Sequence, residues 1–100
     1  MIQMKPIDIE GCRALGIEIK LPKTTLLAVT TDKGYIMCGA LDVQLLNSKL
    51  KDRQIIAGRA VGVRSIEQLL EAPLESVTFE AQTLGIHPGM KGSDAILRMM

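Results

Sequence analysis

Cys38 closes the run Gly34-Tyr35-Ile36-Met37 and opens Gly39-Ala40-Leu41-Asp42, a pattern that reads as a strand turning into a helix. A thiol at such a junction lies beside the free N–H groups and positive dipole end of the helix, which can lower a cysteine pKa from about 8.5 toward neutrality. The chemistry this allows is nucleophilic, with the N–H groups of Gly39 and Ala40 available to an oxyanion. Two facts oppose it. Asp42 brings negative charge to the same helix end, and a free cysteine is often simply a small buried hydrophobe.

A second junction follows at Gly58-Arg59-Ala60-Val61-Gly62-Val63-Arg64-Ser65. Parallel strands that each feed a helix bring both helix starts to one sheet edge, so Arg59, Gly62, Arg64 and Ser65 could join Gly39 and Ala40 around a small anion. The plainer reading of Arg59 is an internal ion pair with Asp42 or with a carboxylate of another subunit. His87, the one histidine, lies in the loop Gly85-Ile86-His87-Pro88-Gly89 and would serve as a base only if it came within about 3 Å of Cys38, directly or through a water. Otherwise it is a solvent-exposed loop residue. Asp8, Glu10 and Glu18 read as solvated faces of strands. The glycines spell neither a P-loop nor a dinucleotide fingerprint, and no cofactor is implied.

The elements that must position these residues are those of one domain, residues 1–100, with no linker-like stretch. Apolar residues make up 47% of the chain, too much to hide easily in so small a monomer, so a homo-oligomer is expected. Basic and acidic residues number 12 and 11 without a run of either, and Tyr35 and Phe79 are the sole aromatics, which argues against nucleic acid. The first residues lack a leader pattern and no apolar run is long enough to span a bilayer, so a cytoplasmic setting without membrane contact is expected. Cys12 and Cys38 are too few for a disulfide framework or, with one histidine, a structural zinc site; both are read as free thiols.

Residues 1–38 read as a β-meander. Leu15, Ile17, Ile19 and Leu21 alternate with polar or small residues, and Ile7 and Ile9 alternate before a Glu10-Gly11 turn. Ile2 and Met4 are out of phase with Ile7 and Ile9, which suggests a bulge or break at Lys5-Pro6. Thr24 to Thr31 is the next strand; Asp32-Lys33-Gly34, with glycine free to take a positive φ, turns it into Tyr35 to Met37. The spacing of Leu41, Leu45, Val43, Leu46 and Leu50 predicts a helix from about Leu41 to Arg53, followed by a strand over Ile55 to Val61. Ser65-Ile66-Glu67-Gln68 is a capping box opening a short helix through Leu70. Leu74, Val77, Ala81 and Leu84 favour a helix closed by Gly85 over a strand at Val77-Thr78-Phe79. Ile86 to Gly92 is a loop, and Ser93-Asp94 caps a last helix. The fold class is α+β: N-terminal hairpins leading into a mixed sheet with a βαβ unit, covered on one side by short C-terminal helices.

The Gly34–Asp42 motif together with Ala57-Gly58-Arg59-Ala60-Val61-Gly62-Val63-Arg64 resembles the YunC-like family, a bacterial and archaeal domain of unknown function. The likeness runs from Leu21-Pro22-Lys23 through Ala72-Pro73-Leu74-Glu75-Ser76 to Met99-Met100. The resemblance implies an α+β fold whose N-terminal β region forms a tetramer, and it implies no reaction. The leading expectation is thus an assembly or small-ligand/anion-binding module, taking an anion or small metabolite at the helix ends, with residues 1–38 as the oligomerisation region and 39–100 as the α/β region. The alternative is a cysteine-dependent hydrolase or transferase with Cys38 as nucleophile, assisted by Arg64 or His87.

Overall fold

A computed structural model of the chain describes residues 2–39, 43–48 and 53–100. Six strands form one mixed sheet in sequential order: β1 (Ile2–Ile9), β2 (Cys12–Leu21), β3 (Thr24–Thr30), β4 (Gly34–Met37), β5 (Ile56–Arg59) and β6 (Ser76–Val77). All neighbours are antiparallel except β4 and β5, which run parallel and bracket α1 (Val43–Ser48) as a βαβ unit. The remaining helices are α2 (Ile66–Glu71), α3 (Phe79–Gln82) and α4 (Gly92–Arg98).

The first hairpin turns at Glu10 and Gly11, whose φ angles of 50° and 86° are the two positive values that a tight two-residue connection needs to match strand twist. Period 2 along each strand then sorts side chains onto two faces. The inner face carries Ala14, Leu27, Val29, Ile36 and Cys38, which cluster with Leu69 of α2 and Ile96 of α4. Helix α4 lies close against this face: a Cβ on Gly92 would run into the Leu69 carbonyl and stand 3.0 Å from Ile36 Cδ1.

The outer face carries, in cross-strand register, Met4, Ile17, Ala28 and Met37 in one row and Ile2, Ile19 and Leu26 in the next. Here the two sides of the sheet differ. Ala57, in register with Tyr35, is fully buried yet outside the main cluster, and the buried Val43 and Leu46 of α1, which packs on β5, lie outside it too. The alternation thus places α1 over the β5 end of the outer face. Over β1–β3 that face is open: Ile2 and Met4 are 65% and 67% exposed.

Several expectations change. Strand β1 runs through Lys5-Pro6 without a bulge, Pro6 pairing in register with Leu15. The phase difference has a simpler cause: Ile2 and Met4 lie on the outer face, Ile7 and Ile9 on the inner. Gly34 does not adopt a positive φ; it begins β4, where a Cβ would collide with the Ile56 carbonyl. Strand β5 is shorter than Ile55 to Val61. The expected helix from Leu74 begins only at Phe79, because Ser76 and Val77 pair with β5 and Thr78 caps α3. Gly85 does close that helix, at φ 82°. Helix α4 starts at Gly92 after Lys91, with no side-chain cap from Ser93 or Asp94. Of the helix expected over Leu41 to Arg53, residues 43–48 are helical; Leu41, Asp42 and residues 49–52 lie outside the described residues.

Candidate functional site

Because β4 and β5 run parallel, the Cys38-Gly39 and Arg59-Ala60-Val61 segments leave the sheet at one edge. The Ala60 N–H donates to the Met37 carbonyl at 2.9 Å, and the Cys38 N–H donates to Leu27 at 3.0 Å, so both chains are still held as they exit. Cys38 continues the inner-face alternation of Ile36. Its thiol therefore packs in the core cluster, 7% exposed, and makes no hydrogen bond among the described residues.

Arg59 points the other way, on the outer face. Its Nε and Nη2 donate to the Gly39 carbonyl at 3.3 and 3.1 Å, while Nη1 donates to the two carboxylate oxygens of Glu75 at 2.9 and 3.0 Å. The Ser76 hydroxyl donates to Glu75 Oε1 at 2.7 Å. These contacts hold the Glu75 carboxyl below the usual glutamate range, the Ser76 hydrogen bond first and Arg59 second. The charge of Arg59 is thus met by an internal ion pair, the plainer of its two readings, with Glu75 as the acid. Asp42 and Ala40 lie outside the described residues.

The second junction caps its own helix. The Ser65 hydroxyl accepts the Gln68 N–H at 3.1 Å, and Gln68 Oε1 accepts the Arg64 N–H at 2.7 Å, one residue earlier than a strict capping box. Gly62 supplies the turn at φ 74°. Arg64 is exposed, and its guanidinium has no ion pair or hydrogen bond among the described residues. Helix α2 has six residues, too short to gather much macrodipole. His87 is exposed in the turn before α4, its Nδ1 2.9 Å from the Pro88 carbonyl, with no hydrogen bond to Cys38.

The geometry therefore brings Gly39 and Arg59 together, assigns Ser65 and Arg64 to the α2 cap, and leaves His87 in a separate turn. Among the described residues no group of three or more His, Cys, Asp or Glu side chains could hold a metal ion. No helix there is long and apolar enough to cross a membrane.

Residues 37–99 match the family described as Domain of unknown function (DUF1805). The chain belongs to the DUF1805 family. Across its full length it is 62% identical over 100 residues to the uncharacterized protein YunC of Bacillus subtilis (strain 168), covering 99% of that relative. Its fold is similar to that of TA1206 from Thermoplasma acidophilum, a crystal structure of a protein of unknown function, with a TM-score of 0.89 and 32% identity over 100% of this chain and 94% of the other.

The DUF1805 match begins at Met37, so it takes in the Cys38 junction, the Arg59 clamp and helices α1–α4, and leaves β1–β3 and most of β4 outside. Two elements of this DUF1805 chain escaped the sequence reading. Glu75 stands 16 residues from Arg59, and no local spacing links them. The open outer face did leave a signal, the phase of Ile2 and Met4, which reads equally well as a bulge until the pairing register is known.

Proposed function

We propose that this DUF1805 chain is an assembly module whose copies join through the outer face of its N-terminal sheet, in a cytoplasmic setting that suits two free thiols. The observation that carries this is the apolar face of β1–β3, where Ile2 and Met4 are 65% and 67% exposed while Ile17 and Ile19, which do not join the main core cluster, are only half-buried. Three strands of about eight residues cover on the order of 400 Å² in projection, the size at which apolar patches mark interaction surfaces. Two such patches give roughly 800 Å² in projection and more in accessible area, close to the roughly 1,200 Å² at which stable interfaces begin. The tetramer implied by family resemblance agrees with this reading.

The other readings have less support. A small anion between Gly39 and Gly62 would meet an Arg59 already committed to Glu75 and an α2 whose Gln68 N–H is already taken by Ser65. Of the candidate residues that are described, Arg64 would remain to hold it. A nucleophilic Cys38 would have to act from within the packed core.

Sedimentation velocity at micromolar concentration tests the assembly. The wild-type chain is expected to sediment as an oligomer and Ile17→Lys, which puts a charge in the middle of the face, as a monomer. A monomeric wild-type chain overturns the reading.

A further inference from the structure

At the end of the parallel pair opposite the Cys38 and Arg59 junction, β4 and β5 begin side by side, Gly34 in register with Ile56. The turn entering β4 and the segment entering β5 enclose an open pocket of about 280 Å³, whose polar lining is Thr31, Asp32, Lys33, Tyr35, Arg53 and Gln54. Its first wall is fixed: the Thr31 hydroxyl accepts the Lys33 and Gly34 N–H groups at 3.2 and 3.1 Å and lies 3.2 Å from the Met99 carbonyl, to which it can donate. The second wall holds an uncommon backbone. Of the three described non-glycine residues at positive φ, Glu10 and Lys23 lie at hairpin tips, where strand twist calls for such values; Gln54, at 52°, has no hairpin to account for it.

The groups lining this pocket are mostly donors without a partner. Among the described residues Lys33 and Arg53 make no ion pair, and neither the Tyr35 hydroxyl nor the Gln54 amide makes a hydrogen bond. Asp32 is the one acid of the lining and does not balance two cations. The Arg59 junction differs, because Glu75 already meets its charge.

We propose that this pocket binds the phosphate group of a small phosphate monoester, or phosphate itself. A planar guanidinium fork, an ammonium, a phenol hydroxyl and an amide suit a doubly charged group with several terminal oxygens better than a carboxylate with two. The volume lies below the roughly 300–1,000 Å³ of sites that enclose drug-sized ligands, so the remainder of the ligand is small, and Asp32 supplies an acceptor for a hydroxyl on it. Tyr35 is the one aromatic of the lining, with no second ring to sandwich a nucleotide base. One chain builds the whole pocket, so the inference does not rest on the assembly reading.

The chain has one tyrosine and no tryptophan, so its intrinsic emission reports on Tyr35 alone. Titration of the full-length protein with inorganic phosphate at constant ionic strength is expected to change that emission saturably. Lys33→Met and Arg53→Met should each raise the Kd about fivefold, the scale of an exposed charge contact, while Lys23→Met, in the β2–β3 turn, leaves it unchanged. Glycerol phosphate is the second probe: tighter binding than inorganic phosphate assigns the site to a monoester, and equal binding assigns it to phosphate alone. Linear quenching that never saturates and is the same in all four proteins overturns the proposal, as does acetate saturating the signal as tightly as phosphate.

Discussion

Arg59 and Glu75 hold each other from both ends: the Arg59 guanidinium donates to both Glu75 carboxylate oxygens at 2.9 and 3.0 Å, and the Glu75 N–H donates to the Arg59 carbonyl at 2.6 Å. The same guanidinium also holds the Gly39 carbonyl, so one side chain ties the end of β4 to the segment entering β6. Arg59→Met is expected to lower the melting temperature. Arg59→Lys should recover only part of the loss, because an ammonium cannot match the planar fork that reaches Gly39 and Glu75 together. Full recovery by lysine would show that charge alone matters.

Acid should loosen this clamp. The folded-state pKa of Glu75 is depressed, so its contribution is present above the ordinary glutamate value of about 4.3 and is lost as the pH falls through the lowered one. In Glu75→Gln that part of the acid dependence is absent, and its stability curve should run flatter than wild type below about pH 4.3. Identical slopes in urea titrations across that window would remove the carboxylate from the account.

Thr78 is the most demanding polar position in the core. At 2% exposure its hydroxyl donates to the Ile55 carbonyl at 2.7 Å and accepts the Ala57 and Ala81 N–H groups at 3.1 and 3.3 Å. Thr78→Val keeps the shape and abandons those partners, at an expected cost of about 2–4 kcal/mol by chemical denaturation. Thr78→Ser should cost clearly less.

Thiol titration should separate the two cysteines. Cys12 is half-buried beside the first turn and is expected to react in the native protein, whereas Cys38 should wait for unfolding. Fast native alkylation of Cys38 with a midpoint well below pH 8 would instead revive its candidacy as a nucleophile.

Gly92 tests how tightly α4 is set against α2. Gly92→Ala aims a methyl at the Leu69 backbone, which has little room to retreat, and about 1–3 kcal/mol of stability should be lost. Gly89→Ala makes a useful contrast: its φ of 91° strains the backbone although nothing stands within 4 Å of the added atom.

What could be read from the sequence was whatever neighbouring residues decide among themselves. Glu10-Gly11 carries its own turn, Ser65 and Gln68 carry the start of α2, and alternation marks β2 and β3 without help from the rest of the fold. Val77 could not be read this way. Its apolar spacing suits a helix, and only pairing with Gly58 turns it into a strand. The partner of Arg59 and the covering of Cys38 depend on which elements become neighbours, which spacing does not encode. The α+β class and the meander followed from local pattern; the contents of the junction did not.

Pro6 on the outermost strand bears on how large an assembly can grow. A bare sheet edge is a template to which copies add one after another, and β1 would be such a template but for a residue with no N–H to offer, flanked by the charges of Lys5 and Asp8. On the assembly proposed above, an edge closed in this way leaves the faces to make the contacts, which favours a particle of fixed size over a fibre.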